Sequence, residues 1–195
     1  MTQISATEVA KLRKITGAGM MDCKQALAES NGDFDKAIEF LRKKGQKIAS
    51  KREDRDANEG CVLGGVTPDG KTASIVVVNC ETDFVAKNED FIAFTKSILQ
   101  VALTEKPASL DALKASKING ELISDLVIDQ MGKIGEKIDL SYYEAINAEQ
   151  CFAYIHPGNK LSTIVGFNKK VDDEQIGKDV AMQIAAMNPV SIDKD

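Results

Sequence analysis

Two stretches far apart in the chain carry one pattern: Lys71-Thr-Ala-Ser-Ile-Val-Val-Val-Asn79 and Lys160-Leu-Ser-Thr-Ile-Val-Gly-Phe-Asn168. A cysteine, Cys61 or Cys151, sits at a similar distance before each, and a helical stretch follows each. Self-similarity of this kind restricts the fold more than composition does. It predicts two β-hairpin-plus-helix units, an α+β core built by duplication. In the first unit Cys61–Val66 reads as a strand, Thr67-Pro68-Asp69-Gly70 as a turn and Thr72–Asn79 as a strand. The unbroken apolar run Ile75–Val78 predicts a strand buried on both faces. A helix over Asp90–Leu103 follows, with Phe91, Phe94, Ile98 and Val101 inward. The second unit has its helix over Gln175–Met187. Between the copies lie a short helix at Leu110–Ala115, an amphipathic helix at Leu122–Ile134 and a strand at Leu140–Ile146.

The copies differ at one place. After Asn79 the first inserts Cys80-Glu81-Thr82-Asp83-Phe84-Val85-Ala86 before its helix, whereas the second passes through Lys169-Lys170-Val171-Asp172. A loop present in one copy only is not required by the fold unit, and such loops are where function is usually carried. The bland alternative is that Phe84 folds back onto the sheet and Asp83 caps a turn.

Ahead of this core, the pattern predicts three short helices. Ser5 and Glu8 make a capping box, and Val9, Leu12 and Ile15 form an apolar stripe. Thr16-Gly-Ala-Gly19 stops the first helix. The second starts near Asp22 with Cys23, Ala26 and Leu27 inward, and Asn31-Gly32 ends it. Asp33 caps the third, which carries Phe34, Ala37, Ile38 and Leu41 inward and closes at Gly45. Residues 46–58 hold seven charges and one Ile, a solvated helix or linker. The expected organisation is a three-helix domain over 1–45, a charged linker over 46–58, a first core subdomain over 59–139 and a second, incomplete one over 140–195.

Charge narrows the function classes. The chain has 195 residues and a net charge of −5. Residues 1–58 are net +3 and the remainder net −8. An acidic body argues against general nucleic-acid binding, which needs clustered Lys and Arg. No apolar run approaches the ~20 residues of a membrane span, and the first residues show no secretory pattern. Four scattered cysteines form neither a C-x-x-C pair nor a zinc pattern, so reduced thiols in a cytoplasmic protein are expected.

Gly65-Val-Thr-Pro-Asp-Gly70-Lys71-Thr72 fits the phosphate-binding pattern G-x-x-x-x-G-K-[ST]. That chemistry needs a helix N-terminus after the loop. Here a strand pattern follows, so the match reads as a hairpin turn and the rival, a P-loop nucleotide hydrolase using Lys71 and Thr72, is set aside. A Cys–His nucleophile is equally unsupported. The single histidine, His156, stands beside Pro157-Gly158 and reads as an exposed turn residue or a contact. Met20 and Met21 directly follow a Gly-rich turn, where at least one is hard to bury, and exposed methionine suits an adaptable partner surface.

Several blocks closely resemble bacterial elongation factor Ts: Thr16-Gly-Ala-Gly-Met20-Met21-Asp22-Cys23-Lys24, Asn31-Gly32-Asp33, Asn79-Cys-Glu-Thr82-Asp83-Phe84-Val85-Ala86-Lys87 and Lys133-Ile134-Gly135-Glu136. The resemblance implies a guanine-nucleotide exchange factor for elongation factor Tu, with an N-terminal bundle similar to ubiquitin-associated domains and a duplicated core. It implies that Arg13, Met20, Met21 and Lys24 lie in the N-terminal contact. Thr82, Asp83, Phe84 and Val85 would form the intruding loop, with Asp83-Phe84 disturbing the partner's Mg²⁺ and phosphate region. Ile134, Gly135 and His156 would be further contacts. No catalytic residue, cofactor or metal is implied, and no direct contact with nucleic acid or membrane; the oligomeric state is open. The family usually continues past the second helix, so a truncated chain, short of some C-terminal contacts, is expected. A ubiquitin-type module working through residues 1–58 alone is the remaining alternative.

Overall fold

The computed structural model describes residues 4–52 and 54–192. The ends of the expected first and second-core ranges (1–3 and 193–195) and position 53 of the expected linker lie outside the described residues. The fold is α+β, with helices and small antiparallel sheets. The chain divides into two compact units, Met1–Asp56 with Asp125–Ile138, and Ala57–Ser124 with Asp139–Asp195.

In the first unit, α1 (Ala6–Thr16), α2 (Met20–Glu29) and α3 (Phe34–Lys51) form as their local signals require. Ser5 and Glu8 complete the capping box, with the Ser5 N–H donating to Glu8 at 2.8 Å and the Glu8 N–H to Ser5 at 3.2 Å. Asp33 accepts from the Lys36 N–H and starts α3. Val9, Leu12, Ala18, Cys23, Ala26, Leu27 and Ala37 make a dry core, with Phe34, Ile38 and Leu41 packed against it. Two expectations fail here. Ile15 is 58% exposed, so it lies off the inward stripe.

Gly45 does not close α3, which runs on to Lys51. The reason is tertiary. Gly45 is buried where α3 meets α7 (Ile123–Ile134), and a Cβ on it would lie 3.1 Å from the Ile128 carbonyl oxygen and 3.7 Å from the Gly132 Cα. The crossing is reciprocal, since a Cβ on Gly132 would lie 3.2 Å from the Gly45 Cα. Glycine is needed here for close backbone approach rather than for a stop. We expect Gly45→Val to destabilise this unit by about 1–3 kcal/mol, the usual cost of overpacking against atoms that cannot rotate away. Local hydrogen exchange of α3 and α7 reads this out, and unchanged protection would show the crossing to be tolerant.

In the second unit β1 (Glu59–Val66), β2 (Thr72–Cys80) and β5 (Asp139–Asn147) form an antiparallel sheet with β2 central. β5, which the expected boundary at 139/140 separates from the first hairpin, thus pairs along β2. The register breaks between Val77 and Val78, and the Ser141 hydroxyl there donates to the Asn79 side-chain oxygen. Burial of β2 alternates: Thr72, Ser74, Val76, Val78 and Cys80 are buried, whereas Ile75, Val77 and Asn79 are half-buried. The apolar run therefore marks a central strand with one dry face, not two. Helix α4 (Asp83–Ala86) follows, then α5 (Glu89–Glu105), α6 (Leu110–Ala115) and the short strands β3 (Lys117–Ile118) and β4 (Glu121–Leu122). α5 packs on β1 and β2 through Phe91, Ile98, Leu99 and Ala102.

The second hairpin, β6 (Gln150–Ile155) with β7 (Ser162–Phe167), is covered by α8 (Glu174–Met187). It packs on β1, where a Cβ on Gly64 would collide with the Ser162 hydroxyl. The turn Thr67–Gly70 is a hairpin turn: Thr67 Oγ1 donates to Asp69 at 2.5 Å, and β2 rather than a helix follows. The Thr72 hydroxyl is buried and donates to Asn147 at 2.7 Å. The phosphate-loop pattern is thus used up in strand pairing.

Candidate partner-contact site

The inserted stretch is not an open loop. It is one turn of helix, α4, standing between the end of β2 and the start of α5. Thr82 is its N-cap, accepting from the Val85 N–H at 3.5 Å. The Cys80 thiol donates to the Thr82 carbonyl at 3.2 Å. Ala86 is buried, and the Asn88 N–H donates to the Val85 carbonyl at 3.0 Å. Asn88 in turn caps α5, accepting from the Asp90 and Phe91 N–H groups. The backbone is thus tied at both ends.

On this tied turn Phe84 is 83% exposed. The alternative in which it folds back onto the sheet is excluded. Burying a Phe side chain is worth about 1.5–3 kcal/mol, and folding leaves this one uncollected. Val85 is half-buried beside it. Asp83 is not the N-cap: it is the first residue of the turn, and its carboxylate meets the Lys87 ammonium at 2.7 Å. The Lys87 hydrogen bond and charge, with a further contribution from the charge of Lys160, hold the Asp83 carboxyl below the ordinary carboxylate range. Its charge therefore persists as pH falls into that range and is lost only below it.

The other residues singled out in the sequence fall in two places. In the first unit Gly17 ends α1 in the left-handed conformation, φ 69, with its N–H donating to the Arg13 carbonyl at 2.7 Å. Buried Ala18 pins the turn, and Met20 and Met21 follow at 46% and 73% exposure. Both methionines are therefore displayed, with exposed Arg13 and Lys24. The end of α7 joins them, because the stem of Lys133 lies against Gly17, 3.4 Å from where a Cβ would be. Ile134 is half-buried there, and Gly135 closes the helix at φ 77, its N–H donating to the Met131 carbonyl. Sequence reasoning missed Ile15 and Lys133 as neighbours of this turn. The spacing of Ile15 points it inward, and only the fold brings α7 to α1.

In the second unit His156 is exposed at the turn between β6 and β7, its Nδ1 2.9 Å from the Tyr154 hydroxyl. All four cysteines are free and buried. Burial pushes the Cys61 and Cys151 thiols up, away from the reactive thiolate. Among the described residues no helix is long and apolar enough to cross a membrane.

These features define a class: an α+β protein that displays apolar side chains on short, pinned turns. Comparison with known proteins names the particular family. A model described as "Elongation factor TS" matches residues 81–195. Elongation factor Ts of Azobacteroides pseudotrichonymphae is 52% identical over 192 residues, covering 98% of this chain and 69% of that protein. That of Porphyromonas gingivalis is 52% identical over 190 residues, 97% of this chain and 68% of that one. That of Amoebophilus asiaticus is 50% identical over 194 residues, 98% and 70%. The chain belongs to the elongation factor Ts family of translation factors, and these relatives are longer than it is.

Proposed function

We propose that this chain is the guanine-nucleotide exchange factor of elongation factor Tu, acting in the cytoplasm without an active site of its own. The carrying observation is Phe84, 83% exposed on a turn tied at both ends. A rigid aromatic displayed this way fills a partner's pocket at low entropic cost. Exchange then follows from linkage. A factor that binds the empty GTPase better than the nucleotide-bound form weakens the nucleotide by the same factor as the nucleotide weakens it. Asp83, ionised at neutral pH, would bring negative charge towards bound phosphate and its Mg²⁺ and compete for their ordered ligands.

Met20, Met21, Arg13 and Lys24, with Ile134 and Gly135, form the second contact in this reading, and His156 a third. Flexible, polarisable methionines adapt to a surface that changes shape. The three-helix domain plays the part of a ubiquitin-associated-like docking module, and the two hairpin-plus-helix units are copies of one ancestral unit. The pairing of β1–β2 with α5 and of β6–β7 with α8 supports the second point.

The test is release of a fluorescent GDP from elongation factor Tu of the same organism, followed by stopped flow with and without the chain. Acceleration that depends on chain concentration is expected. No acceleration, or micromolar binding of GTP or ATP by the isolated chain in a calorimeter, would overturn the reading.

A further inference from the structure

The two hairpins differ along one edge. Aligned with Lys71–Asn79, the similar stretch Lys160–Asn168 sets Ser162, Ile164 and Gly166 against Ala73, Ile75 and Val77. On β2 those three residues carry β5, in the register Ala73↔Ile146, Ile75↔Glu144 and Val77↔Tyr142. On β7 the corresponding edge is bare. The His156 N–H donates to the Leu161 carbonyl at 2.8 Å, and the β6–β7 pairing runs on in the same register. Residues of an antiparallel ladder alternate, so Leu161, Thr163, Val165 and Phe167 turn their N–H and C=O groups to β6. Ser162, Ile164 and Gly166 turn theirs away, and among the described residues no hydrogen bond meets those backbone groups.

We propose that this edge is a strand-docking site, and that its occupant in solution is β7 of a second copy of the chain, paired antiparallel about a twofold axis. One reason is that the edge is unprotected. Natural edge strands are blunted by charge, proline or a bulge. β5, an outer strand of the other sheet, carries Asp139, Glu144 and a register break against β2. β6 gives its Cys151 N–H to the Gly70 carbonyl at 2.6 Å. Ser162-Thr-Ile-Val-Gly-Phe167 has neither charge nor proline, a composition that pairs readily with its own kind. Symmetry selects the occupant. Antiparallel pairing centred on Ile164 sets Ser162 opposite the partner subunit's Gly166 at both ends, so the outward residues complete one another's hydrogen bonds. Both bare edges are consumed, and association closes at two. A second reason lies on the helical face of the sheet. α8 covers this hairpin, the Thr163 hydroxyl donating to the Ala181 carbonyl at 2.7 Å. It leaves Ile176, Met182 and Met187 exposed. Pairing through β7 extends one sheet across both copies and sets both α8 helices on the same face, where apolar side chains have a surface to meet.

The experiment is sedimentation equilibrium of the unaltered chain and of Ile164→Pro, with amide hydrogen exchange followed residue by residue by NMR. The Ile164 N–H points away from β6, so proline there removes a docking donor and spares the ladder. The unaltered chain should pass from its single-chain mass of 21.1 kDa towards double that between about 1 μM and 1 mM, as small interfaces do. Over the same range exchange of the Ser162, Ile164 and Gly166 amides should slow by about 10-fold or more, whereas the Thr163 and Val165 amides, already held by β6, should change far less. Ile164→Pro should stay at the single-chain mass with an unchanged circular dichroism spectrum. If that variant does not fold, amide exchange of the unaltered chain decides alone. A single-chain mass throughout, a dimer whose outward amides stay unprotected, or a dimer that survives in folded Ile164→Pro overturns the proposal. Outward amides protected in the single-chain species would mean that a strand of the same chain fills the edge, which overturns it too. Neither readout involves a GTPase, so the result is independent of the exchange-factor reading.

Discussion

Phe84→Ala is expected to slow chain-promoted GDP release from elongation factor Tu by on the order of 30- to 700-fold below saturation. This corresponds to losing about 2–4 kcal/mol of binding to the nucleotide-free partner, the range of a central aromatic anchor. The same substitution should leave thermal and denaturant stability within about 0.5 kcal/mol, as for surface positions without structural duty. Both halves follow from one observation, an aromatic ring 83% exposed on backbone anchored by Cys80, Thr82, Ala86 and Asn88. Phe84→Leu should recover part of the loss, since it restores bulk without the flat ring. The measurement is a stopped-flow trace over a range of chain concentrations, with circular dichroism melts alongside. Unchanged release with unchanged stability would remove Phe84 from the mechanism. A slowed release with a lowered melt would mean that the ring supports the fold.

What the sequence disclosed and what it hid divide along a physical line. Local chemistry was legible. Ser5 with Glu8, Asp33 before α3, and Pro68-Asp69-Gly70 between two β-branched runs each act within a few residues, and each forms as expected. The stretch after Asn79 was legible by comparison within the chain, since the similar stretch Lys160–Asn168 is followed by Lys169-Lys170-Val171-Asp172 instead. Its helical form was not, since four residues are too few to show a period and the cap is a single threonine.

Distant partners were illegible in another way. Gly45 reads as a helix stop until Gly132 arrives against it from far along the chain. Ile15 reads as core because its spacing is right, although it lies beside the exposed turn. β5 shows a strand pattern but nothing in it names β2 as neighbour. The same holds for the site: Phe84 and Met21 could be suspected from where they sit in sequence, whereas Lys133 reaches the Gly17 turn only through the fold.

Phe152→Ala should give the converse of Phe84→Ala, in the same chemical currency. Phe152 is 6% exposed on β6. Its ring meets Phe167 of β7 edge to face, with centroids 5.6 Å apart. On its other flank lies Gly177 of α8, where any Cβ would overlap the ring. One ring therefore holds both strands of the hairpin and the helix that covers them, and the small residue opposite has no side chain to fill the space it would leave. Truncation loses the buried apolar area together with the cost of a cavity, about 3–5 kcal/mol. Against the 5–15 kcal/mol of a typical domain, that is a substantial share. The loss should be concentrated in β6, β7 and α8, so local hydrogen exchange is the sharper measurement, with denaturant unfolding as its companion. Exchange-factor activity at low temperature should survive in proportion to the folded fraction, because the Phe84 turn leaves from β2. Full protection of α8 in the Phe152→Ala chain would show that the helix is held by something other than this ring.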